Sequence, residues 1–231
     1  MASNRKHTII LAHRANLFGP APREENSLDM VERALDMGFG LETDLRRGTG
    51  QQFYISHDAV PVTQANVLDS YTALFARHPD VLLAINIKEL GYEDELIRLQ
   101  ASGIFGNAGF YFDFELLEPA SPGLSQHKIR ALPNGEHTRL AARISDRGES
   151  LRQCLSIPAE TVWADEFDGA WLTQAHIREL QSAGRRIIIV SPELHGCDET
   201  ERLRRWTAFK DSGVDGICTD YSIAADKFFN R

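Results

Sequence analysis

Thr8-Ile9-Ile10-Leu11-Ala12-His13-Arg14-Ala15-Asn16 is the stretch on which the fold turns. Its first five residues form an apolar run of strand length, and the residues after it decide which parallel architecture it opens. A doubly wound dinucleotide-binding fold would turn here through Gly-x-Gly-x-x-Gly, a loop whose backbone cradles a pyrophosphate. This chain turns instead through a histidine, an arginine, an alanine and an asparagine, so its first strand ends in side-chain chemistry. Outward from that point, short apolar runs alternate with longer stretches of helical period, the pattern of repeated βα units. Strands are expected at 8–12, 40–44, 81–87, 109–113, 139–144, 161–165, 186–190 and 216–219, with an extra extended piece at 53–57. Helices are expected at 28–37, 68–76, 93–101, 149–154, 173–183, 199–211 and 223–229. Asn26 or Ser27 and Thr173 read as helix starts, and Gly184 and Gly213 as stops. Residues 115–136 carry Pro119, Pro122 and Pro133 and read as a long loop with one short helix. Eight such units without an interdomain linker match a single α/β domain over 1–231, a (β/α)8 TIM barrel, whose usual length is ~250 residues.

Composition sets the outer limits. With 25 Lys and Arg against 33 Asp and Glu, the formal charge is −8, which disfavours nonspecific nucleic-acid binding. Hydrophobic residues at 42% and charged residues at 25% are those of a globular chain and exclude a disordered one. The longest apolar runs, about five residues, fall far short of the ~20 that cross a bilayer. The N-terminus, Met1 to His7, is short and polar and lacks the pattern of a signal peptide, so a cytoplasmic location is expected. Cys154, Cys197 and Cys218 form neither a disulfide framework nor a zinc spacing and read as core or loop residues.

In a barrel strand alternate residues face inward, so polar side chains at the last inward positions converge on one mouth however distant in sequence. In order these are His13 and Arg14, Glu42 and Asp44, Asn86 and Lys88, Asp113, Arg143, Asp165 and Glu166, Ser191 with Glu193, and Asp220. Glu42 and Asp44, at i and i+2, share one strand face and could jointly hold a hard divalent cation such as Mg²⁺ or Ca²⁺. The competing reading pairs them with Arg46, Arg14 or Arg143. His13 and His57 are candidate general acid and base, with Asp58 placed to orient His57. Arg14, Lys88 and Arg143 bring positive charge to the same mouth and suit an anionic substrate, with Asn16 in the loop beside them as a further substrate-binding candidate. His7, His78, His127, His137 and His176 read as structural or solvated, and His195 stays open. Phe112, Phe114, Trp163, Trp171, Trp206 and Phe18 could line a groove, although core packing is the commoner role of such residues.

Taken in order, Ala12-His13-Arg14, Glu25-Asn26-Ser27, Glu42-Thr43-Asp44, Ser56-His57-Asp58, Asn86-Ile87-Lys88 and Asp215-Gly216-Ile217-Cys218-Thr219-Asp220-Tyr221 resemble the motifs of the glycerophosphodiester phosphodiesterase family, within the phospholipase-C-like phosphodiesterase barrels. The resemblance covers nearly the whole chain and is closest to a divergent bacterial branch. It implies a phosphoric diester hydrolase acting on a small phosphodiester, with His13 and His57 as acid and base and Arg14 on the phosphate. It further implies Glu42 and Asp44 on a metal, while Lys88, Arg143, Asn16 and Glu193, read from the polar groups at the mouth, complete the expected substrate side. Three departures stand out: Ala15 replaces a glycine, Asn86 replaces the third metal-binding carboxylate, and a tryptophan near the seventh strand's end is replaced around Ser191. Asn86 can still offer one oxygen to a cation, or Asp113 or Asp165 could take its place. Two alternatives follow: a metal-independent phospholipase-C-like enzyme forming a cyclic phosphate, and a catalytically silent barrel that binds a phosphorylated ligand.

Overall fold

A computed structural model describes residues 7–231. Residues 1–6, which carry most of the N-terminal stretch read for a targeting signal, lie outside the described residues. Eight strands form the barrel: β1 (Ile9–His13), β2 (Gly40–Arg47), β4 (Leu83–Ile87), β5 (Phe110–Phe112), β6 (Ala141–Ser145), β7 (Thr161–Asp165), β8 (Arg186–Val190) and β9 (Gly216–Thr219). They run parallel in the order β5-β4-β2-β1-β9-β8-β7-β6, and a parallel bridge between Tyr111 and Leu140 brings the two ends together. The expected extra strand is β3 (Phe53–Ile55), antiparallel to the end of β2.

The alternation that closes the barrel is visible strand by strand. Leu11, Ala84, Phe110, Phe112, Ala141, Trp163, Ile188, Val190 and Cys218 fill the interior. Their neighbours Ile10, Ala12, Ile85, Tyr111, Ala142, Val162, Ile187, Ile189 and Ile217 face the surrounding helices. Gly216 is needed in the narrow interior layer, since a Cβ there would stand 2.7 Å from Ile188 Cδ1 and 2.9 Å from the Ile9 carbonyl.

The helices are α1 (Leu28–Asp36), α2 (Thr72–Arg77), α3 (Glu93–Ala101), α4 (Phe114–Leu117), α5 (Leu124–Ala131), α6 (Leu151–Ser156), α7 (Gln174–Ser182), α8 (Glu199–Ser212) and α9 (Ser222–Asn230). Ser27, rather than Asn26, caps α1, accepting from the Met30 amide at 3.4 Å. The 68–76 helix begins as a 3-10 turn, Leu68–Tyr71, before α2. The 115–136 segment departs from expectation. It holds two helices, α4 and α5, entered through left-handed residues Asp113 (φ 70°) and Gly123 (φ 92°) without side-chain caps. Its prolines fall outside both helices, so they bound them rather than prevent them. No described helix is long and apolar enough to cross a membrane.

Candidate active site

Phe112 and Trp163, with ring centroids 4.1 Å apart, cap the apolar interior and make the floor of a cavity of about 210 Å³ at the strands' C-terminal mouth. The inward period that puts Leu11 below puts His13 above. The same period raises Glu42 and Asp44 on β2, Asn86 on β4, Arg143 on β6 and Asp165 on β7. His13, Arg14, Glu42, His57, Asn86, Lys88 and Arg143 all line this cavity. Of the other aromatic candidates, Phe114 and Trp206 are core, and Phe18 is exposed.

His13 is held through Nδ1 by Asp220 Oδ1 at 2.7 Å, and its Nε2 faces Glu42 Oε2 at 3.9 Å. Burial pulls the imidazole's pKa down, but the hydrogen bond to Asp220 and the charge of Glu42 outweigh it, so the net shift is upward and favours imidazolium. Arg14 and Ala15 then take left-handed conformations, φ 48° and 67°, turning the chain so that the Arg14 amide meets the Glu42 carbonyl at 3.0 Å. Ala15 thus holds a left-handed conformation that glycine would adopt freely, at a cost of roughly 1–2 kcal/mol. His57 lies just past β3, with its side chain 46% exposed and Nδ1 at 2.8 Å from Asp58. Arg46 grips the His57 carbonyl from Nε and Nη2, at 3.0 and 2.7 Å, and so positions a histidine whose own side chain has little packing.

The two carboxylates of β2 have opposite surroundings. Burial would raise the Asp44 pKa, but Lys88 Nζ at 2.9 Å, Arg14 Nε at 3.4 Å and Asn26 Nδ2 at 2.9 Å hold it below its ordinary value. Glu42 receives the Arg14 amide at 3.2 Å and Asn86 Nδ2 at 3.5 Å. Burial and the neighbouring Asp44 push it up to about 7. Arg143 is 1% exposed and spends its terminal nitrogens on Asp113 and on Asp165 Oδ2, the latter at 2.6 Å. It therefore knits the mouth together while facing the cavity.

Two of the expected substrate contacts lie off the cavity. Asn16 is fully buried, donating to Glu25 at 3.1 Å and Asp220 at 2.8 Å and accepting from the Ala21 amide at 3.2 Å. Glu193 turns inward to Ser191, Thr219 and the Asp220 amide. Arg46 and His195 were not singled out as site residues in the sequence, because Arg46 lies beyond residue 44, where the second strand was expected to end, whereas β2 continues to Arg47, and His195 lies in a loop past its strand. Only the Pro192-Glu193-Leu194-His195-Gly196 loop marked His195.

Glu42, Asp44 and Asn86 offer two carboxylates and an amide oxygen, a set that suits a hard cation retaining several waters. The test lies in Glu42: it is 2% exposed and its ion-pair contact among the described residues is the His13 ring at 3.9 Å, whereas Asp44 is already paired with Lys88 and Arg14, so a cation would fit beside Glu42. Asp113 and Asp165 are already engaged by Arg143. Among the described residues, no three His, Cys, Asp or Glu side chains gather as a metal cage.

No family model and no curated protein matches the chain. Solved structures do. A glycerophosphodiester phosphodiesterase from Agrobacterium tumefaciens is 19% identical, with TM-score 0.65, over 97% of this chain and 100% of that one. One from Parabacteroides distasonis is 14% identical, with TM-score 0.69, over 99% of this chain and 88% of that one. A phosphodiesterase from Oleispira antarctica, in complex with the product sn-glycerol-3-phosphate, is 14% identical, with TM-score 0.68, over 96% and 97%. Over its described residues, then, this chain has the same (β/α)8 barrel fold as these phosphodiesterases.

Proposed function

We propose that the chain is a phosphoric diester hydrolase acting on small glycerophosphodiester-like molecules. One observation carries the reading: His13 and His57 open onto a single cavity that also presents Arg14 and Lys88. Its structural neighbours, phosphodiesterases of the same fold, support it, including the Oleispira protein with its product sn-glycerol-3-phosphate. Asp220 holds His13 by Nδ1, leaving Nε2 to the cavity, and the upward shift keeps a proton there for the departing alkoxide. His57, oriented by Asp58, takes the proton of the attacking water or hydroxyl. Arg14 and Lys88 offset charge that builds on the phosphoryl oxygens, already arranged before reaction. Glu42, Asp44 and Asn86 would hold Mg²⁺ or Ca²⁺, which when bound supplies Lewis-acid stabilisation of the same charge. Asn16 and Glu193 serve as positioning residues for Asp220 and the β8–α8 turn.

His13→Ala and His57→Ala are each expected to lower kcat by about 10²–10⁴-fold with folding intact by circular dichroism. Full turnover in both variants rejects the pair. A second reading is favoured by Lys88 and Arg14 on Asp44: fixed cations replace the metal, and attack by a neighbouring substrate hydroxyl yields a cyclic phosphate. Activity undiminished by EDTA, with a cyclic product seen by phosphorus NMR, selects it. Asn86 is the feature favouring a silent binding module, which would show ligand binding with no product at all.

A further inference from the structure

The central cavity does not stand alone. On the β1–β3 side it shares Arg14 and His57 with a chamber of about 420 Å³. On the opposite side it shares Phe167 and His195 with a chamber of about 210 Å³ between the β7 and β8 loops. A phosphodiester needs this outline: a central seat for phosphate and a space for each alcohol.

His195 stands at the threshold of the second chamber and is built into place. Its Nε2 lies 2.5 Å from Asp165 Oδ1, and the other oxygen of Asp165 is held by Arg143. Its ring lies 4.4 Å from that of Phe167, with the side chain 21% exposed. The turn carrying it, Pro192–His195, is pinned to the end of β9 through Glu193. The chamber's carboxylates are already matched: Glu166 by Arg205 at 2.8 and 2.5 Å, Asp168 by Arg147 at 3.0 and 2.7 Å, and Glu201 by Arg204 at 2.6 Å. A space rich in hydrogen-bonding groups whose charges cancel favours neither a cationic nor an anionic guest. It suits a neutral, polyhydroxylated one.

We infer that the β7–β8 chamber is the subsite for the second alcohol of the diester, that this alcohol is a neutral polyol, and that His195 is the specificity-determining residue that hydrogen-bonds it. This rests on the phosphodiesterase reading above. The test compares three diesters of glycerol phosphate, with methanol, choline or inositol as the second alcohol, in the wild type, His195→Phe and Gly169→Leu. Phenylalanine keeps the ring against Phe167 and removes the nitrogens. Gly169 lines the chamber at its exposed rim, and a Cβ added there meets nothing within 4 Å, so leucine adds apolar bulk at the rim without displacing a neighbour. In the wild type the inositol diester is expected to exceed both others in kcat/KM by about tenfold or more. Each variant should lower the inositol-to-methyl ratio of kcat/KM by about tenfold, mainly through KM. A wild-type preference for the choline or methyl diester, or a ratio unchanged in both variants, overturns the inference while leaving the phosphodiesterase reading intact. A wild type that cleaves none of the three overturns both.

Discussion

Glu115 is a carboxylic acid with little support for a negative charge. It is 1% exposed, Oε1 takes the Gln126 amide at 2.8 Å and the Arg143 backbone amide at 2.9 Å, and Oε2 is buried without a hydrogen-bond partner. Burial pushes its pKa up to about 7. An acid raised in the folded state contributes stability that is whole below its ordinary carboxylate range and is lost as pH climbs through the folded value. Between pH 5 and 8 the wild type should therefore lose stability that Glu115→Gln keeps, by at most ~3 kcal/mol. Melting temperatures of both proteins across that range check the sign, and parallel curves would clear Glu115 of the effect. The same residue-scale logic separates Glu42 from Asp44: two carboxylates two positions apart differ because Lys88 and Arg14 attend only one closely. The sequence left that choice open between a metal pair and an ion pair, since spacing puts both on one face without saying which cation reaches which oxygen.

Among the elements, those with local start and stop chemistry were legible and those governed by tertiary packing were not. Strands β7, β8 and β9 coincide with their expected limits, since apolar runs end there at polar inward residues or turns. Helix α7 was marked at its start by Thr173, whose Oγ accepts from the His176 amide at 3.3 Å while His176 Nδ1 accepts from the Thr173 amide at 3.2 Å. That reciprocal cap predicts that Thr173→Ala costs about 1 kcal/mol, read as a lower urea midpoint at unchanged slope. It also gives His176 the structural role expected of it. By contrast, α4 and α5 carry no side-chain cap and begin at positive-φ residues, so the sequence suggested one short helix in this segment without marking where it starts or that there are two. His195 escaped for a related reason: its partner Asp165 lies on another unit, and only the parallel pairing of β7 with β8 sets the two strand ends side by side, 2.5 Å apart at these side chains.

At the scale of the whole molecule, the mouth is a chain of polar contacts joining distant units. From His195 it runs through Asp165, Arg143, Asp113 and Asn86 to Glu42, and beyond the Glu42–His13 approach through Asp220, Asn16 and Glu25 to Arg14 and Asp44. Arg143 serves Asp113 and Asp165, while Lys88 and Arg14 serve Asp44, which leaves Glu42 as the carboxylate most in need of positive charge. Without a cation, Glu42, like Glu115, contributes less to stability as pH rises through about 7. With one, the ionised form gains a partner and the cation must displace a proton, so affinity should increase with pH. Millimolar Mg²⁺ or Ca²⁺ is therefore expected to raise Tm by a few degrees at pH 8, by clearly less at pH 6, and hardly at all in Glu42→Gln. The readout is independent of turnover. If Tm at pH 8 ignores both ions, the metal reading falls, and Lys88 and Arg14 are left as the cations that the proposed reaction would use.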